Sequence, residues 1–199
     1  MIRNVIFDIG GVLIDWNPHY YFDGYFNGDT QKEEFFLTEI CGREINRWMD
    51  EGMLPADAGR KMSELHPEWK DAIGVYIDKW REQISGEMIG MRPVLEDLSA
   101  KGYRMFGLTN WAGVTFNKVR SEFGIISLLE GIVVSAEEHL LKPGPEIYNC
   151  LLERYGLEAG ECLYTDDHIQ NICGAEAVGI KGLLFTNVEQ FKKDLKHIL

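Results

Sequence analysis

The sequence predicts an α/β protein, in which a doubly wound parallel sheet lies between two layers of helices and a helical domain is inserted after the first strand. Five short apolar runs are rich in Val, Ile, Leu and Phe without alternation, which is typical of parallel strands buried on both faces. Helical patterns separate most of these runs, as expected for a parallel sheet. The expected strands are 4–7, 104–108, 131–134, 161–164 and 182–185.

The helices of this core have recognisable ends. One is expected from Pro93 to Ala100, with Pro near its start and Gly102 beyond its end. Another is expected at the end of the chain, where four apolar residues form an amphipathic stripe, namely Val188, Phe191, Leu195 and Ile198. The stretch KPGPEIY predicts a loop followed by a helix that starts near Pro145.

The connection after the first strand is too long for a loop. About 85 residues separate that strand from the helix near Pro93, which indicates an inserted domain. We expect residues 17–85 to form a helical domain, the cap, and residues 1–16 and 86–199 to form the core domain. Two stripes of apolar residues at helical spacing support this, the first formed by Phe36, Ile40, Ile45, Trp48 and Met49 and the second by Ile73, Tyr76, Ile77, Trp80 and Ile84. Pro55 predicts a further helix that ends near Leu65.

The composition limits the partners. The formal net charge is −12 at pH 7 and Lys and Arg are not clustered, which argues against nucleic acid and favours a small-molecule substrate. Only Arg3 precedes a short apolar run that Asp8 interrupts, so we expect no signal peptide, no membrane span and a cytoplasmic protein. The four cysteines lack zinc-site spacing and are expected to be reduced thiols. The oligomeric state stays open.

Polar residues follow the ends of the predicted strands. They are Asp8, Thr109 with Asn110, Lys142, and Asp166 with Asp167. Ligands of open parallel sheets bind outside the carboxyl ends of the strands, so these residues are expected at one site. The neighbouring carboxylates would repel each other, which indicates a compensating cation.

Four stretches occur in order at these strand ends, and they are FDIGGVL, LTN, LKPGPEIY and YTDDHIQN. In these stretches the chain resembles the haloacid dehalogenase superfamily, a large group of Asp-nucleophile hydrolases that are mostly phosphatases. The resemblance covers the whole length, and the inserted helices match that family's cap. It implies a three-layer α/β/α, Rossmann-like core and the activity of a phosphoric monoester hydrolase.

The resemblance also implies roles for these residues. Asp8 would be the nucleophile, forming an aspartyl-phosphate that water then cleaves. Mg²⁺ would bind the Asp8 carboxylate, the backbone carbonyl of Gly10 and Asp167. Asp166 would be an alternate ligand or lie just behind the ligands.

The remaining strand-end residues would act on the phosphoryl group. Lys142 would stabilise charge on its oxygens and on Asp8, and so contribute to both catalysis and substrate binding. The Thr109 hydroxyl and the Asn110 backbone amide would position the phosphoryl group.

One expected acid is missing. Phosphatases of this superfamily typically have a second Asp two residues after the nucleophile, where this chain has Gly10. The leaving group could need little protonation, as with a sugar hydroxyl at an anomeric carbon. Alternatively Asp15, His19 or the substrate's own hydroxyls could supply the proton, or the reaction could be something other than phosphate hydrolysis. The chain is similar to a bacterial branch that has Gly at this position and includes an α-D-glucose-1-phosphate phosphatase.

We therefore expect a Mg²⁺-dependent phosphatase that acts on a small phosphorylated metabolite, with a sugar phosphate as the expected substrate. A metal-independent 2-haloacid dehalogenase would use the same Asp8, but the paired carboxylates would repel its carboxylate substrate. A non-catalytic relative that binds a phosphorylated metabolite is the other alternative. Candidates for setting specificity are Trp16, Asn17, Tyr20, Arg43 and Trp48.

Overall fold

Seven strands form two sheets in the computed structural model, which describes residues 1–199. The strands are β1 (Asn4–Phe7), β2 (Ile14–Trp16), β3 (Ile84–Glu87), β4 (Arg104–Thr109), β5 (Gly131–Val134), β6 (Cys162–Asp166) and β7 (Lys181–Leu184). Five of them form a parallel sheet in the order β5-β4-β1-β6-β7, and β2 pairs with β3 in a separate antiparallel ribbon. The predicted parallel sheet is confirmed. The short ribbon was not predicted.

Eleven α-helices accompany the strands. They are α1 (His19–Tyr25), α2 (Thr30–Phe35), α3 (Arg43–Asp50), α4 (Pro55–Leu65), α5 (Lys70–Asp78), α6 (Met91–Ala100), α7 (Gly113–Glu122), α8 (Ser135–Glu138), α9 (Pro145–Tyr155), α10 (Ile169–Ala177) and α11 (Val188–Ile198). None of them combines the length and the apolar composition that crossing a membrane requires.

Helices cover both faces of the parallel sheet. In β1, Val5 and Phe7 pack into a cluster that includes side chains of α6, α7 and α11, whereas Ile6 packs into a second cluster with side chains of α9 and α10. Neighbouring residues of a strand point to opposite faces, so a strand that is apolar at every position is buried on both. The predicted three-layer α/β/α core is thereby confirmed.

The boundaries of the core elements differ from the prediction by one or two residues. β4 extends to Thr109, β6 covers Cys162–Asp166, and β7 begins at Lys181 and ends at Leu184. α6 begins at Met91, before Pro93, because Gly90 with φ +89° turns the chain directly into the helix. α9 begins at Pro145 as predicted.

The inserted region has an aromatic core of its own. Phe22 is fully buried, and its ring lies 5.2 Å from that of Phe36 and 5.9 Å from that of Tyr76, measured between centroids. α4 has the predicted bounds. The β2–β3 ribbon forms both connections between this region and the parallel sheet, and the predicted boundaries at residues 16 and 86 fall on it. The division into a core and a cap domain stays a prediction.

Two predicted helical stripes are interrupted. The segment 36–49 contains a π-helical turn (Phe36–Ile40) and then breaks before α3 at Gly42, where a Cβ atom would lie 2.3 Å from the Thr38 carbonyl oxygen. The stripe 73–84 was expected to be one helix, but α5 ends at Asp78, a 3-10 turn follows, and Ile84 begins β3. Apolar spacing alone does not reveal such breaks, because the same residues remain buried. All four cysteines are free thiols, as predicted.

Candidate active site

The carboxyl ends of β1, β4 and β6 face a cavity of 1040 Å³ that the inserted helices close on the other side. Predicted site residues that line it are Asp8, Gly10, Thr109, Asn110, Lys142 and Asp167. The inserted region contributes lining residues mainly from α3, together with Tyr76, Ile77, Trp80 and Gln83. A substrate in this cavity would therefore contact both parts of the chain.

Lys142 joins two of the predicted carboxylates. Its Nζ atom lies 2.9 Å from Asp8 Oδ1 and 2.8 Å from Asp166 Oδ2. The lysine side chain is 1% exposed, and the two carboxylates are 10% and 0% exposed. Buried charges of this kind are stable only when they are paired and hydrogen-bonded. Lys142 is thus a fixed cation beside the predicted nucleophile.

Asp166 is held behind the cavity. Its carboxylate accepts hydrogen bonds from the backbone N–H of His168 at 2.8 Å, from Asn171 Nδ2 at 3.0 Å and from the Tyr164 hydroxyl, in addition to Lys142. It does not line the cavity. Both of its oxygens accept hydrogen bonds, and one of them also fixes the Lys142 ammonium; that Asp166 is an alternate metal ligand or lies just behind the ligands stays a prediction.

The two carboxylates beside Lys142 have opposite pKa shifts. Burial raises the pKa of Asp8 to about 8, against the lowering effect of Lys142 and with the charges of Asp166 and Asp167 acting in the same direction as burial. Burial also raises the pKa of Asp166, but Lys142 and the hydrogen-bond donors outweigh it and lower that pKa to about 2. Burial lowers the pKa of Lys142, but both carboxylates outweigh it and raise that pKa. Lys142 therefore keeps its proton.

Asp167 faces the cavity and is 33% exposed. Its Oδ1 atom lies 2.8 Å from His168 Nδ1. A Cβ atom on Gly11, which has φ +77°, would lie 2.5 Å from Asp167 Oδ2. The glycine in the segment after β1 therefore allows Asp167 to approach that segment closely.

The donor set around these residues fits a hard divalent cation. The site has three carboxylates, those of Asp8, Asp166 and Asp167, but only one nearby ammonium, that of Lys142, so negative charge is in excess. Carboxylate oxygens are preferred ligands of Mg²⁺. Donor atoms of Asp166, Asp167 and His168 lie within 4.8 Å of one another. Among the carboxylates, Asp8 and Asp167 are the two that line the cavity, and Gly10 lines it beside them.

Asn110 positions Lys142 through the backbone. Its side chain accepts a hydrogen bond from the Lys142 N–H at 2.9 Å and donates one to the Lys142 carbonyl at 3.1 Å. The sequence suggested a role only for the Asn110 backbone amide, and no spacing pattern could have indicated this pair, because 32 residues separate the two positions. Thr109 is 1% exposed and lines the cavity next to it.

The position of the missing acid is covered by an indole ring. A Cβ atom on Gly10 would lie 3.4 Å from Cζ3 of Trp111. The Trp111 ring is fixed by a hydrogen bond from its Nε1 to Thr115 Oγ1 at 3.0 Å. This is an ordinary van der Waals distance, so the ring packs directly against the side of Gly10 from which a side chain would project.

The two substitute proton donors suggested from the sequence do not line the cavity. Asp15 lies in β2, where its carboxylate accepts hydrogen bonds from the Tyr20 hydroxyl at 2.9 Å and from Ser85 Oγ at 2.5 Å. His19 lies at the start of α1, with Nδ1 2.8 Å from Glu33 Oε1. Both residues are engaged outside the site.

Two of the five specificity candidates are at the cavity. Trp16 and Arg43 line it, whereas Asn17, Tyr20 and Trp48 do not. The Asn17 side chain accepts a hydrogen bond from the His19 N–H at 3.0 Å, Tyr20 bonds Asp15, and Trp48 lies under the Lys61 ammonium, 3.7 Å from its ring centroid. They were candidates as side chains of the predicted cap, but their local hydrogen bonds and packing direct them elsewhere.

Trp111, Asn46 and Asp50 are among the lining residues that the sequence did not predict. Trp111 follows β4, Asn46 accepts a hydrogen bond from the Tyr76 hydroxyl at 3.0 Å, and Asp50 ends α3. The sequence offered one signal for the first of them, which is its position directly after LTN. Asn46 and Asp50 belong to a helix whose orientation over the sheet only the structure shows.

One family model matches most of the chain. The family model described as haloacid dehalogenase-like hydrolase matches residues 5–185. A sesquiterpene phosphatase of Aspergillus oryzae is 28% identical and the match covers 93% of this chain and 90% of that protein. A glyceraldehyde 3-phosphate phosphatase of Pyrococcus abyssi is 27% identical over 93% of this chain and 82% of that protein.

The fold is also found in solved structures. A HAD family enzyme from Bacteroides thetaiotaomicron, crystallised in complex with magnesium and inorganic phosphate, superposes with a TM-score of 0.70 at 22% identity, over 94% of this chain and 96% of that one. At this identity the likeness shows the fold alone. The resemblance predicted from four short motifs is confirmed, as is the prediction of a hydrolase, and the curated phosphatases support assignment to the phosphoric monoester hydrolases.

Proposed function

The chain belongs to the haloacid dehalogenase-like hydrolases, and from this we propose that it is a Mg²⁺-dependent phosphatase of a small phosphorylated metabolite, with Asp8 as nucleophile. The observation that supports it most directly is the buried Asp8–Lys142–Asp166 array, with Asp167 facing the cavity beside it. This places a carboxylate, a fixed cation and a second carboxylate at one edge of the sheet, where a phosphoryl group would have to bind.

In the proposed reaction, an Asp8 oxygen attacks phosphorus and the bond to the leaving oxygen breaks, which gives an aspartyl-phosphate. Water then attacks phosphorus, and the bond to Asp8 breaks to release inorganic phosphate. Lys142 remains hydrogen-bonded to Asp8 and stabilises the negative charge that develops on the phosphoryl oxygens. Asp166 holds Lys142 in place, while Asn110 fixes its backbone.

The residues that would hold Mg²⁺ are Asp8, the Gly10 backbone carbonyl and Asp167. When bound there, the ion would counter the burial that raises the pKa of Asp8 and so favour the ionised nucleophile, and it would neutralise charge between the nucleophile and the phosphoryl group. The Thr109 hydroxyl and the Asn110 backbone amide, at the end of β4, would bind phosphoryl oxygens. Magnesium and phosphate in the Bacteroides relative support this assignment.

The substrate class we propose is a sugar phosphate. Arg43 and Asn46 from α3 offer polar groups to hydroxyls across the cavity from Asp8. The glyceraldehyde 3-phosphate phosphatase among the relatives acts on a small phosphorylated carbonyl compound, which supports a metabolite of this size. The similarity to the glucose-1-phosphate phosphatase branch, the cytoplasmic location and the lack of a nucleic acid partner stay predictions from the sequence.

Phosphate release from a panel of sugar phosphates, with Mg²⁺ and with EDTA, tests this function. Asp8→Asn should abolish turnover, because an amide cannot form the acyl phosphate. Asp97→Asn is the matched control, since Asp97 is exposed on α6 and pairs with Lys101 far from the cavity. Turnover that Asp8→Asn leaves unchanged would refute the proposal.

The same panel separates the alternatives. Activity that EDTA does not affect would show that the reaction does not require a divalent metal ion. Halide release from 2-haloacids without added metal would favour the dehalogenase. Binding of sugar phosphates with no turnover by the unmodified chain would favour the non-catalytic relative.

A further inference from the structure

Asp50 occupies a position that the proposed chemistry leaves without an assigned group. It is the last residue of α3 and lines the cavity opposite the ends of the parallel strands. Its carboxylate makes no hydrogen bond and no ion pair with any protein group, unlike Asp8, Asp166 and Asp167, which all have partners. A partly buried carboxylate without a protein partner is available to a substrate or a water molecule.

We propose that Asp50 is the general acid and general base of the reaction, and that it replaces from the inserted region the acid that Gly10 cannot supply. This inference rests on the proposed phosphatase function. The inference goes beyond the proposed function because it assigns the proton transfers to a residue of the inserted region, on the other side of the cavity from the nucleophile.

The surroundings of Asp50 suit proton transfer near neutral pH. Burial raises the pKa of Asp50 to about 7, with the charge of Lys142 lowering it and that of Glu51 raising it. A general acid works best when its pKa lies near the working pH. The geometry at the end of α3 agrees, because His139 Nδ1 lies 2.8 Å from the carbonyl oxygen of Glu51, so this end of the helix contacts the core segment that precedes Lys142.

The other candidate proton donors are less suitable. Asp15 and His19 are held elsewhere, as described above. The Tyr76 hydroxyl already donates to Asn46, and burial raises its pKa far above neutrality. His168 is bonded to Asp167, a proposed metal ligand. Glu44 lines the cavity but is exposed to solvent.

Asp50 donates a proton in the first step and regains one in the second. In the first step, protonated Asp50 gives its proton to the bridging oxygen as the bond from that oxygen to phosphorus breaks and the bond from Asp8 forms. In the second step, the Asp50 carboxylate takes a proton from water as the water oxygen bonds to phosphorus and the bond to Asp8 breaks. Asp50 ends protonated and Asp8 ends ionised, so no further reactant is required.

The test compares two phosphate esters that differ in their need for protonation. Glucose 6-phosphate has a poor alcohol leaving group, whereas p-nitrophenyl phosphate releases a phenolate that leaves without a proton. Asp50→Asn should lower kcat for glucose 6-phosphate by about 10²–10⁴-fold. With p-nitrophenyl phosphate the same variant should give a burst of one p-nitrophenol per enzyme and then slow turnover, because only the second step needs the base.

Two further variants make the result specific. Asp50→Glu should restore part of kcat, since a carboxyl group returns. Asp57→Asn is the matched control, because Asp57 is an exposed carboxylate on α4 that pairs with Arg60 and does not line the cavity. The melting temperature of Asp50→Asn should not fall, because Asp50 has no protein partner to lose.

The outcomes distinguish this inference from the function it rests on. A kcat for glucose 6-phosphate within about twofold of the unmodified chain, or equal losses on both esters without a burst, would overturn the role of Asp50 while Asp8→Asn still abolishes turnover. If Asp8→Asn retains turnover, the proposed function itself fails.

Discussion

Removal of the Lys142 ammonium should destabilise the fold strongly and in a pH-dependent way. Lys142→Met keeps an aliphatic chain of similar length but leaves Asp8 and Asp166 without their cation. Removing one partner of a buried ion pair costs about 3–5 kcal/mol, because the remaining charge stays buried and unpaired. We expect the free energy of unfolding at pH 8 to fall by about that amount.

The pKa of Asp166 gives an independent magnitude. Its folded value of about 2 lies below the ordinary value of 3.8, and at about 1.4 kcal/mol per pH unit this difference corresponds to about 2.5 kcal/mol. Because the folded pKa is the lower one, this stabilisation is present above pH 4 or so and is lost as the pH falls through about 2. In the variant the unpaired carboxylates bind protons at higher pH, so the difference from the unmodified chain should already shrink at pH 5.

Urea unfolding at pH 8 and pH 5 measures both effects. Lys101→Met is the matched control, because its exposed pair with Asp97 should contribute less than about 1 kcal/mol. The double variant Lys142→Met with Asp166→Asn should regain part of the loss, since one buried charge is removed. An unfolding free energy for Lys142→Met within about 1 kcal/mol of the unmodified chain at pH 8 would show that the buried carboxylates do not depend on this cation.

Three other perturbations follow from the structure. Gly11→Ala should raise the Mg²⁺ concentration needed for half-maximal activity, because the new Cβ would displace Asp167; an unchanged Mg²⁺ dependence would contradict the close approach. In the folded chain a thiol reagent should modify exposed Cys173 and leave Cys41 intact, since burial raises the pKa of Cys41 to about 12; equal rates would show that the inserted region opens readily. Phe22→Ala should lower the free energy of unfolding in urea by about 3–5 kcal/mol through loss of the aromatic core; a loss below about 1 kcal/mol would mean that this region contributes little to the measured transition.

The parallel sheet could be predicted because its strands are buried on both faces. Each then appears in the sequence as an uninterrupted apolar run, as in β1, and the polar residues directly after the runs mark the edge where ligands bind. The two strands of the ribbon escaped prediction for the opposite reason. β2 is three residues long and only partly buried, so it has no such pattern.

The core side of the site was also accessible from the sequence, whereas the side formed by the inserted helices was not. Asp8, Thr109 and Lys142 follow predicted strands, and the sheet brings strand ends together whatever their distance along the chain. The position of Asp50 depends on the break at Gly42 and on how α3 lies over the sheet. Apolar spacing specifies which residues of a helix are buried, but not which neighbour its last carboxylate faces.

The pair of Asp166 and Asp167 shows the same limit at the scale of two residues. The sequence indicated a cation at this position but not which carboxylate would contact it. In the structure, Tyr164 and Asn171 donate hydrogen bonds to Asp166, whereas Asp167 faces the cavity, and this difference depends on contacts across the fold.

The attack of the Asp8 carboxylate on phosphorus can be detected by trapping the phosphorylated protein. The chain, turning over a sugar phosphate labelled in its phosphoryl group, would be quenched in acid and digested, and the label mapped. Label on the peptide that contains Asp8, released by hydroxylamine and missing in Asp8→Asn, is the predicted result. Steady turnover with no label on the protein, or label on a peptide without Asp8, would contradict the account.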